Sequence, residues 1–266
     1  MKAVISSTYD DKYFYYLPIV SFCWRKLGVD VICFIPYSKD KPEVTIDKLD
    51  LVFGAMGTNV RIECFSAPEH KEATYAQVLR LMGGTLGFED DEILITSDVD
   101  MAVFKIPEYK GGFTITGHDL VPSGQHPMCY VSATSKDWKD VFVNSDEKTY
   151  QQAIDNILEG DECEHYRGNR WSFDQEHLFL SIETNAWEQH LIPRSNGQNQ
   201  FATKRYDRDD AYILDRLNPD TIDFHMNRPG YEEKNFEIIL TILKYHYPDE
   251  NFDWLISYTQ QYKQLL

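Results

Sequence analysis

Short apolar runs rich in β-branched residues alternate with longer mixed stretches over the first hundred residues. The runs predict strands that are buried on both faces, and the mixed stretches predict helices. Pro18 lies inside the first predicted helix and predicts a kink there or a later helix start. The predicted strands are 2–6, 29–35, 60–65 and 92–104, and the predicted helices are 12–27 and 72–82, ended by Gly28 and by Gly83-Gly84.

The pattern becomes more irregular beyond residue 110. Alternating strands and helices favour parallel pairing, so we expect a three-layer α/β/α architecture with a Rossmann-like, mostly parallel sheet. No linker interrupts the chain, and we expect residues 1–266 to form a single domain. The later predicted elements are strands at 112–117 and 129–134, helices near 147–159 and 174–185, and a helical segment from about residue 231 to the end, interrupted at Pro248.

The composition limits the possible partners. Of the 266 residues, 42% are hydrophobic, which supports a sizeable core and excludes global disorder. The formal net charge of −17 argues against nucleic acid or an anionic membrane as the main partner. A nucleotide ligand is still compatible with this charge, because a metal ion and a few local Arg or Lys residues can reverse the field within one cleft.

The five cysteines are scattered and no CxxC pair occurs, so neither a disulfide framework nor a zinc cluster is expected. Free cysteines fit a reducing compartment. The first residues lack a signal-peptide core, and no apolar run approaches the roughly 18–20 residues of a spanning helix. We therefore expect a soluble, cytoplasmic protein with no membrane span.

Two carboxylates, Asp98 and Asp100, interrupt the apolar segment ILITSDVDMAVF. In a regular strand, residues i and i+2 point to the same face, so both side chains would emerge together. Two close carboxylates are costly unless a cation joins them, and Mg²⁺ or Mn²⁺ would leave positions free for phosphate oxygens. Ligands of parallel sheets bind beyond the carboxyl ends of strands. The alternative is a turn in which both acids are solvated or cap a helix.

An apolar strand followed by D-x-D and a small or apolar residue resembles the metal-binding motif of GT-A-fold glycosyltransferases, most closely that of small viral and bacterial members. The resemblance spans most of the chain, in scattered motifs. It implies a GT-A-like fold, a nucleotide-sugar donor that is most often a UDP-sugar, and a sugar or glycan hydroxyl as acceptor. It also implies a nucleotide-binding half (about 1–110), an acceptor-binding half (about 111–230) and C-terminal helices (about 231–266).

The resemblance assigns donor-binding residues in the first half. In similar enzymes the loop after the first strand lies beside the base and ribose, which implicates Ser6, Thr8 and Tyr9. Arg80, on the helix before the D-x-D, would approach the donor sugar or the phosphates. The alternative for Arg80 is a solvated helix residue that pairs with a glutamate.

The same resemblance assigns the metal ligands. Asp100 would ligate the metal directly, and Asp98 would contact the ribose or the sugar, or reach the metal through water. The segment DFHMNRPG loosely matches a motif with a third metal ligand and a base that touches the diphosphate. His225 and Arg228 hold these positions, with arginine in place of the usual lysine. A nitrogen ligand favours Mn²⁺ over Mg²⁺, although a lone histidine is more often structural.

The segment WSFDQ, residues 171–175, resembles the acidic segment that faces the reacting sugar in many of these transferases. The resemblance makes Asp174, with Gln175 beside it, the candidate catalytic residue. Asp174 would be a general base in an inverting enzyme, and Asp174 or Gln175 would stabilise an oxocarbenium-like state in a retaining one. The alternative is an ordinary helix N-cap at Asp174.

Other functions compete with sugar transfer. A phosphohydrolase of the haloacid-dehalogenase type would use Asp98 as its nucleophile, but its D-x-D usually follows the first strand of the chain. A nucleotidyltransferase would need a glycine-rich basic loop, which SSTYDDKY lacks. A non-catalytic nucleotide- or glycan-binding module is the third alternative. The polar segment 194–210 predicts a loop over the donor, with Lys204 and Arg205 as candidate phosphate contacts.

Overall fold

A seven-stranded sheet forms the centre of the computed structural model, which describes residues 1–38, 45–67, 71–142, 152, 154, 172–194 and 205–266. The strand order is β3-β2-β1-β4-β7-β6-β8. Strands β1 to β4 run parallel, and β7 lies antiparallel to both of its neighbours. These strands are β1 (Lys2–Ser6), β2 (Asp30–Tyr37), β3 (Val60–Ser66), β4 (Ile93–Thr96), β6 (Phe113–Thr116), β7 (Val131–Thr134) and β8 (Gln189–Ile192).

Helices cover both faces of this sheet. Consecutive residues of β1, such as Ala3 and Val4, belong to two different hydrophobic clusters because neighbouring strand residues point to opposite faces. The predicted three-layer α/β/α architecture with a mostly parallel sheet is confirmed. The helices are α1 (Asp11–Phe14), α2 (Leu17–Lys26), α3 (Ile46–Met56), α4 (Glu72–Leu79), α5 (Ser135–Phe142), α6 (Phe173–Thr184), α7 (Glu233–His246) and α8 (Asp253–Gln264).

A second, three-stranded sheet has the order β5-β10-β9. Its strands are β5 (Met101–Val103), β9 (Arg205–Asp207) and β10 (Asp223–His225). β10 lies antiparallel to β5 and parallel to β9. Since β5 follows β4 after four residues, this small sheet holds the C-terminal part of the chain against the end of the central sheet.

The sequence predicted one strand over residues 92–104, but the structure divides this segment into two strands. β4 ends at Thr96, the chain turns through Asp98 and Asp100, and β5 continues in the other sheet. The amide of Met101 donates to the carbonyl of Asp98 at 3.3 Å, which closes the turn. The alternation rule for strands therefore does not govern the two carboxylates.

Two predicted helix boundaries also changed. The first helix is divided into α1 and α2, and Pro18 lies in the first turn of α2, where its missing amide is tolerated. Gly83 and Gly84 do not end α4, because a 3₁₀ helix, Arg80–Leu86, continues through them. A Cβ on Gly84 would lie 2.5 Å from the carbonyl oxygen of Ser135, so glycine permits the close approach of α5.

Elements of the second half agree with the expected positions. The helix predicted at 174–185 is α6, and the predicted C-terminal helical segment is α7 and α8. Of the helix predicted near 147–159, only Gln152 and Ile154 lie within the described residues. None of the helices described is long and apolar enough to cross a membrane.

Candidate active site

A cavity of about 270 Å³ lies beyond the carboxyl ends of β1 and β4. Nine of the ten residues that the resemblance assigned to the site line it, and Tyr9 does not; the nine are Ser6, Thr8, Arg80, Asp98, Asp100, Asp174, Gln175, His225 and Arg228. Residues far apart in the sequence therefore share one concave, polar space, the usual setting of a ligand site. Its wall also contains residues that the sequence did not single out: Ser7, Tyr13, Ala73, Ala76, Gln77, Val99 and Arg208.

The loop after β1 is fixed to the neighbouring strand. The hydroxyl of Ser6 and the amide of Ser7 each donate to the carbonyl of Phe34, at 3.0 Å in both cases. Thr8 accepts a hydrogen bond from the amide of Asp10 at 3.3 Å. These bonds make the loop a preformed wall of the cavity.

Tyr9 lies outside this cavity, although the sequence grouped it with Ser6 and Thr8. Its ring packs edge-to-face on Phe14, with 5.2 Å between the ring centroids. Burial, with the neighbouring Cys64, raises the pKa of the Tyr9 hydroxyl. Tyr9 therefore packs beside the cavity, and its predicted contact with the donor stays a prediction.

Arg80 joins two carboxylates at one end of the cavity. Its Nη1 donates to Asp98 and its Nη2 donates to Asp174. Burial opposes the charge of Arg80, but the carboxylates of Asp174 and Asp98 more than offset that cost and raise the pKa of the guanidinium. Arg80 is thus not the solvated helix residue of the alternative interpretation, since its side chain is only 11% exposed.

Asp174 is fully buried, with only 1% of its side chain exposed. Burial raises the pKa of Asp174; Arg80 lowers it and Asp98 raises it further, with a net upward shift. Ser172, not Asp174, occupies the N-cap position of α6, so the N-cap alternative is wrong. Asp174 lies in the first turn, where its Oδ1 accepts from the amide of Gln175 at 3.0 Å.

Four residues on the same side of the chain segment 73–80 line the cavity: Ala73, Ala76, Gln77 and Arg80. Their spacing of three, four and seven residues is that of one helix face. The sequence contained this signal, because helical spacing counted back from Arg80 reaches the other three. The two alanines keep this wall small, which leaves room for a ligand beside the Arg80 guanidinium.

Asp100 lies at the other end of the cavity among three basic groups. Its Oδ2 is 3.1 Å from Arg208 Nη1, 3.3 Å from His225 Nε2 and 3.4 Å from Arg228 Nε. Burial opposes its charge, but His225, Arg228 and Arg208 more than offset this, so the pKa of Asp100 is lowered. Asp100 is therefore held as a carboxylate.

The register of the small sheet brings His225 to Asp100. His225 pairs with Met101 across the β10–β5 ladder, and the amide of Met226 donates to the Asp100 carbonyl at 2.9 Å. On its other side, His225 pairs with Asp207, whose Oδ2 is 3.7 Å from His225 Nδ1. Nε2 is thus the ring nitrogen that faces Asp100, and Nδ1 is the one that faces Asp207.

The loop after β10 is packed against α1 and the start of α2. Arg228 donates from Nη1 to the hydroxyl of Tyr13 at 2.6 Å and also lies over the Tyr13 ring. Tyr16 donates to the carbonyl of Asn227. A Cβ on Gly230 would lie 2.6 Å from the Tyr16 ring, so only glycine permits this close approach. The Pro-Gly turn thus positions Arg228 at the cavity.

The pair Asp100 and His225 fits a divalent cation, because a carboxylate oxygen and a ring nitrogen 3.3 Å apart can both contact one ion. Asp98, the other predicted ligand, directs an oxygen to Arg80. Within the described ranges, no group of three or more His, Cys, Asp or Glu residues forms a metal site. Mg²⁺ and similar ions often bind with few protein ligands and with phosphate oxygens. The residues therefore fit an ion that binds together with a phosphate-bearing ligand.

Arg205, a predicted phosphate contact, does not line the cavity. It donates to Asp223 from Nε at 3.2 Å and from Nη2 at 3.1 Å, alongside Arg194, and this buried cluster supports the small sheet. Of the basic residues of the segment 194–210 that the structure describes, Arg208 lines the cavity. Lys204 and Trp171 lie outside the described residues.

The sheet order and the cavity at its carboxyl edge define an α/β protein with the GT-A type of fold. No family model matches the chain, and no curated protein sequence is similar to it.

Solved structures with a similar fold include glycosyltransferases. The glycosyltransferase GlyE of Streptococcus pneumoniae TIGR4 has a TM-score of 0.52 at 11% identity, over 99% of this chain and 63% of GlyE. Its apo form gives 0.51 at 11% identity, over the same 99% and 63%. The galactosyltransferase LgtC, in complex with donor and acceptor sugar analogues, has a TM-score of 0.49 at 10% identity, over 93% of this chain and 96% of LgtC. The chain thus spans less than two-thirds of the length of GlyE, and the likeness establishes the fold.

Proposed function

We propose that this protein is a metal-dependent glycosyltransferase that moves a sugar from a nucleoside-diphosphate sugar to a hydroxyl of a sugar or glycan. The donor that we favour is a UDP-sugar. The observation that carries the proposal is the cavity itself. It gathers the D-x-D carboxylates, Arg80, Asp174 and His225 beyond the carboxyl ends of parallel strands. The fold shared with glycosyltransferases supports the same reaction class.

The two ends of the cavity suit the two parts of such a donor. Asp100 and His225 would hold Mn²⁺, or Mg²⁺, which would neutralise the diphosphate as it leaves. Arg228, fixed by Tyr13, adds a charged donor for the same phosphates. The Asp98–Arg80–Asp174 group lies at the other end and supplies acceptors and a buried cation to the sugar.

Asp174 is better suited to electrostatic stabilisation than to proton abstraction. Its Oδ2 accepts from Arg80 and its Oδ1 from the amide of Gln175. Because both oxygens are occupied and the side chain is buried, an acceptor hydroxyl has little access to it. Gln175 is only partly buried and lines the cavity, so its amide is the group free to contact the sugar.

A screen of UDP-, GDP-, ADP- and dTDP-sugars for Mn²⁺-dependent release of the nucleotide tests this function. We expect turnover with one donor class, stopped by a chelator and restored by Mn²⁺. Asp100→Asn is expected to lower turnover about 10³-fold, which corresponds to about 4 kcal/mol of transition-state stabilisation. The measurement is the initial rate of nucleotide release, with water or added sugars as acceptor.

Asp140→Asn provides the matched control, since Asp140 lies on the exposed side of α5 and pairs with Lys136. Its rate is expected to equal that of the unchanged protein. Metal-dependent binding of UDP without turnover would instead indicate a non-catalytic binding module. Hydrolysis of a generic aryl phosphate that is lost in Asp98→Asn, with no release from any nucleotide sugar, would indicate a phosphohydrolase.

A further inference from the structure

We propose that Arg208 is a diphosphate-binding residue of this site, in addition to Arg228. Two observations support it: Arg208 lines the cavity, and its guanidinium pairs with Asp100. The inference rests on the proposed function, because it names a binding group for the donor's diphosphate. It adds a residue from a different segment of the chain, the one that follows β9.

The protein holds Arg208 in place from two directions. Its backbone carbonyl accepts a hydrogen bond from the Asn227 side chain at 3.1 Å, and its guanidinium Nη1 contacts Asp100 Oδ2 at 3.1 Å. The side chain is 23% exposed and lines the cavity. Among the described residues, the Arg208 guanidinium donates to one carboxylate oxygen, and a guanidinium has five N–H donors. The remaining donors give Arg208 the capacity to bind an anion while it stays in place.

The charges around Asp100 point to an anionic ligand. Asp100 carries one negative charge, whereas Arg208 and Arg228 carry two positive charges within 3.4 Å of the same oxygen. Among the side chains that line the cavity, this end is therefore net positive, in a chain with a net charge of −17. Asp207 does not line the cavity and lies on the far side of His225. The Arg80 end has the opposite balance, with one arginine between two aspartates. Phosphate oxygens are thus favoured at the Asp100 end, and a neutral sugar at the other.

Arg208 should have opposite effects on a metal ion alone and on a metal ion with a diphosphate. A fixed positive charge 3.1 Å from a metal ligand repels a cation that binds by itself. The same charge attracts the anion that completes the site. A residue with a purely structural role would change both affinities in the same direction.

The experiment measures the affinity of the whole protein for Mn²⁺ alone, by electron paramagnetic resonance, and for inorganic pyrophosphate and UDP at fixed Mn²⁺, by calorimetry. For Arg208→Ala we expect pyrophosphate and UDP to bind at least about tenfold more weakly, as for loss of a charge-assisted hydrogen bond. We expect Mn²⁺ alone to bind about threefold or more tightly. The affinities of Arg208→Lys, which keeps the charge, should lie between those of the unchanged protein and those of Arg208→Ala.

Arg216→Ala is the matched control, because Arg216 lies eight residues along the same segment, is 65% exposed and pairs with Asp210. It should change none of the three affinities. The inference is overturned if Arg208→Ala leaves pyrophosphate and UDP binding unchanged, or if it weakens Mn²⁺ alone as well. Loss of pyrophosphate binding in a protein that never binds UDP would support Arg208 but overturn the proposed donor. A protein that binds neither probe would overturn both.

Discussion

Replacing Arg80 with methionine is expected to lower the free energy of unfolding by about 3–5 kcal/mol at pH 8, the usual cost of removing one partner from a buried ion pair. Arg80 is the cation between Asp98 and Asp174, and Asp174 is 1% exposed. Without Arg80, Asp174 must either stay charged in a buried position or take up a proton. Urea denaturation of the two proteins, followed by circular dichroism, measures the difference.

The same substitution should make stability depend more steeply on pH. The pKa of Asp174 is already raised in the folded protein by burial, and loss of Arg80 raises it further. A carboxyl group with a raised folded pKa contributes stability that is fully present below its unfolded pKa, near 4. That contribution is lost as the pH rises through the folded pKa. The loss in the free energy of unfolding caused by Arg80→Met should therefore be small at pH 4.5 and reach its full size by pH 8.

Arg216→Met is the control, since its exposed guanidinium pairs with Asp210 at the surface. Surface substitutions of this kind usually change stability by less than about 0.5 kcal/mol. A deficit for Arg80→Met that is equal at pH 4.5 and pH 8 would show that Asp174 is not the group responsible. Equal stability of Arg80→Met and the unchanged protein at pH 8 would contradict the buried pair itself.

Local patterns in the sequence predicted β1, α4, β4 and α6, four of the elements that bring the cavity together. Asp98 and Asp100 follow an apolar run, and that run forms β4. Parallel sheets bind ligands beyond the carboxyl ends of such strands. The resemblance to GT-A transferases added Asp174 and His225, which no periodicity would have selected. These residues lie near a strand end or a helix start, where the sequence carries boundary signals.

Such local patterns could not predict which distant segments of the chain contact each other. Arg205 and Arg208 lie in the same polar segment, yet Arg205 points to Asp223 and Arg208 to Asp100. The pairing of β9 with β10 decides between them, since Arg205 lies opposite Asp223 and Arg208 follows the end of β9. Strand register depends on the tertiary fold, so equally basic neighbours in one loop cannot be told apart from sequence.

Two of the buried ion clusters in the described part of the chain have opposite compositions. In one, a single arginine, Arg80, pairs with both Asp98 and Asp174, and the pKa of the buried Asp174 carboxyl is raised. In the other, two arginines, Arg194 and Arg205, both pair with Asp223. Burial opposes the charge of Asp223, but Arg205 and Arg194 more than offset that cost, so the pKa of Asp223 is well below its usual range. Removing charge from the second cluster should therefore give the opposite dependence on pH.

Asp223→Asn is expected to lower the free energy of unfolding by about 3–5 kcal/mol at pH 7, because two guanidinium groups would then lie together without a counter-charge. Asp223 is fully buried and accepts two hydrogen bonds from each arginine. A loss of this size approaches the total stability of many domains, about 5–15 kcal/mol. Thermal and urea unfolding of the variant measure it.

A second substitution keeps the result interpretable if Asp223→Asn folds poorly. Arg194 is the more buried of the two arginines, so Arg194→Met in the same chain removes the costlier unpaired charge. The double variant should be more stable than Asp223→Asn alone, with a coupling energy of about 1–3 kcal/mol. Asp220→Asn, three residues away at a side chain that is 61% exposed, is the matched control and should unfold like the unchanged protein.

The pH dependence distinguishes this charge effect from a packing defect. A carboxyl group with a lowered folded pKa contributes stability that is present above its unfolded pKa, near 4, and is lost as the pH falls through the folded pKa. The unchanged protein should therefore lose part of its stability below pH 4, and the part that belongs to Asp223 should be missing from Asp223→Asn. The gap between the two proteins should narrow from pH 5 to pH 2.5. A gap that stays constant over this range would mean that the substitution acts through packing and not through the charge of Asp223.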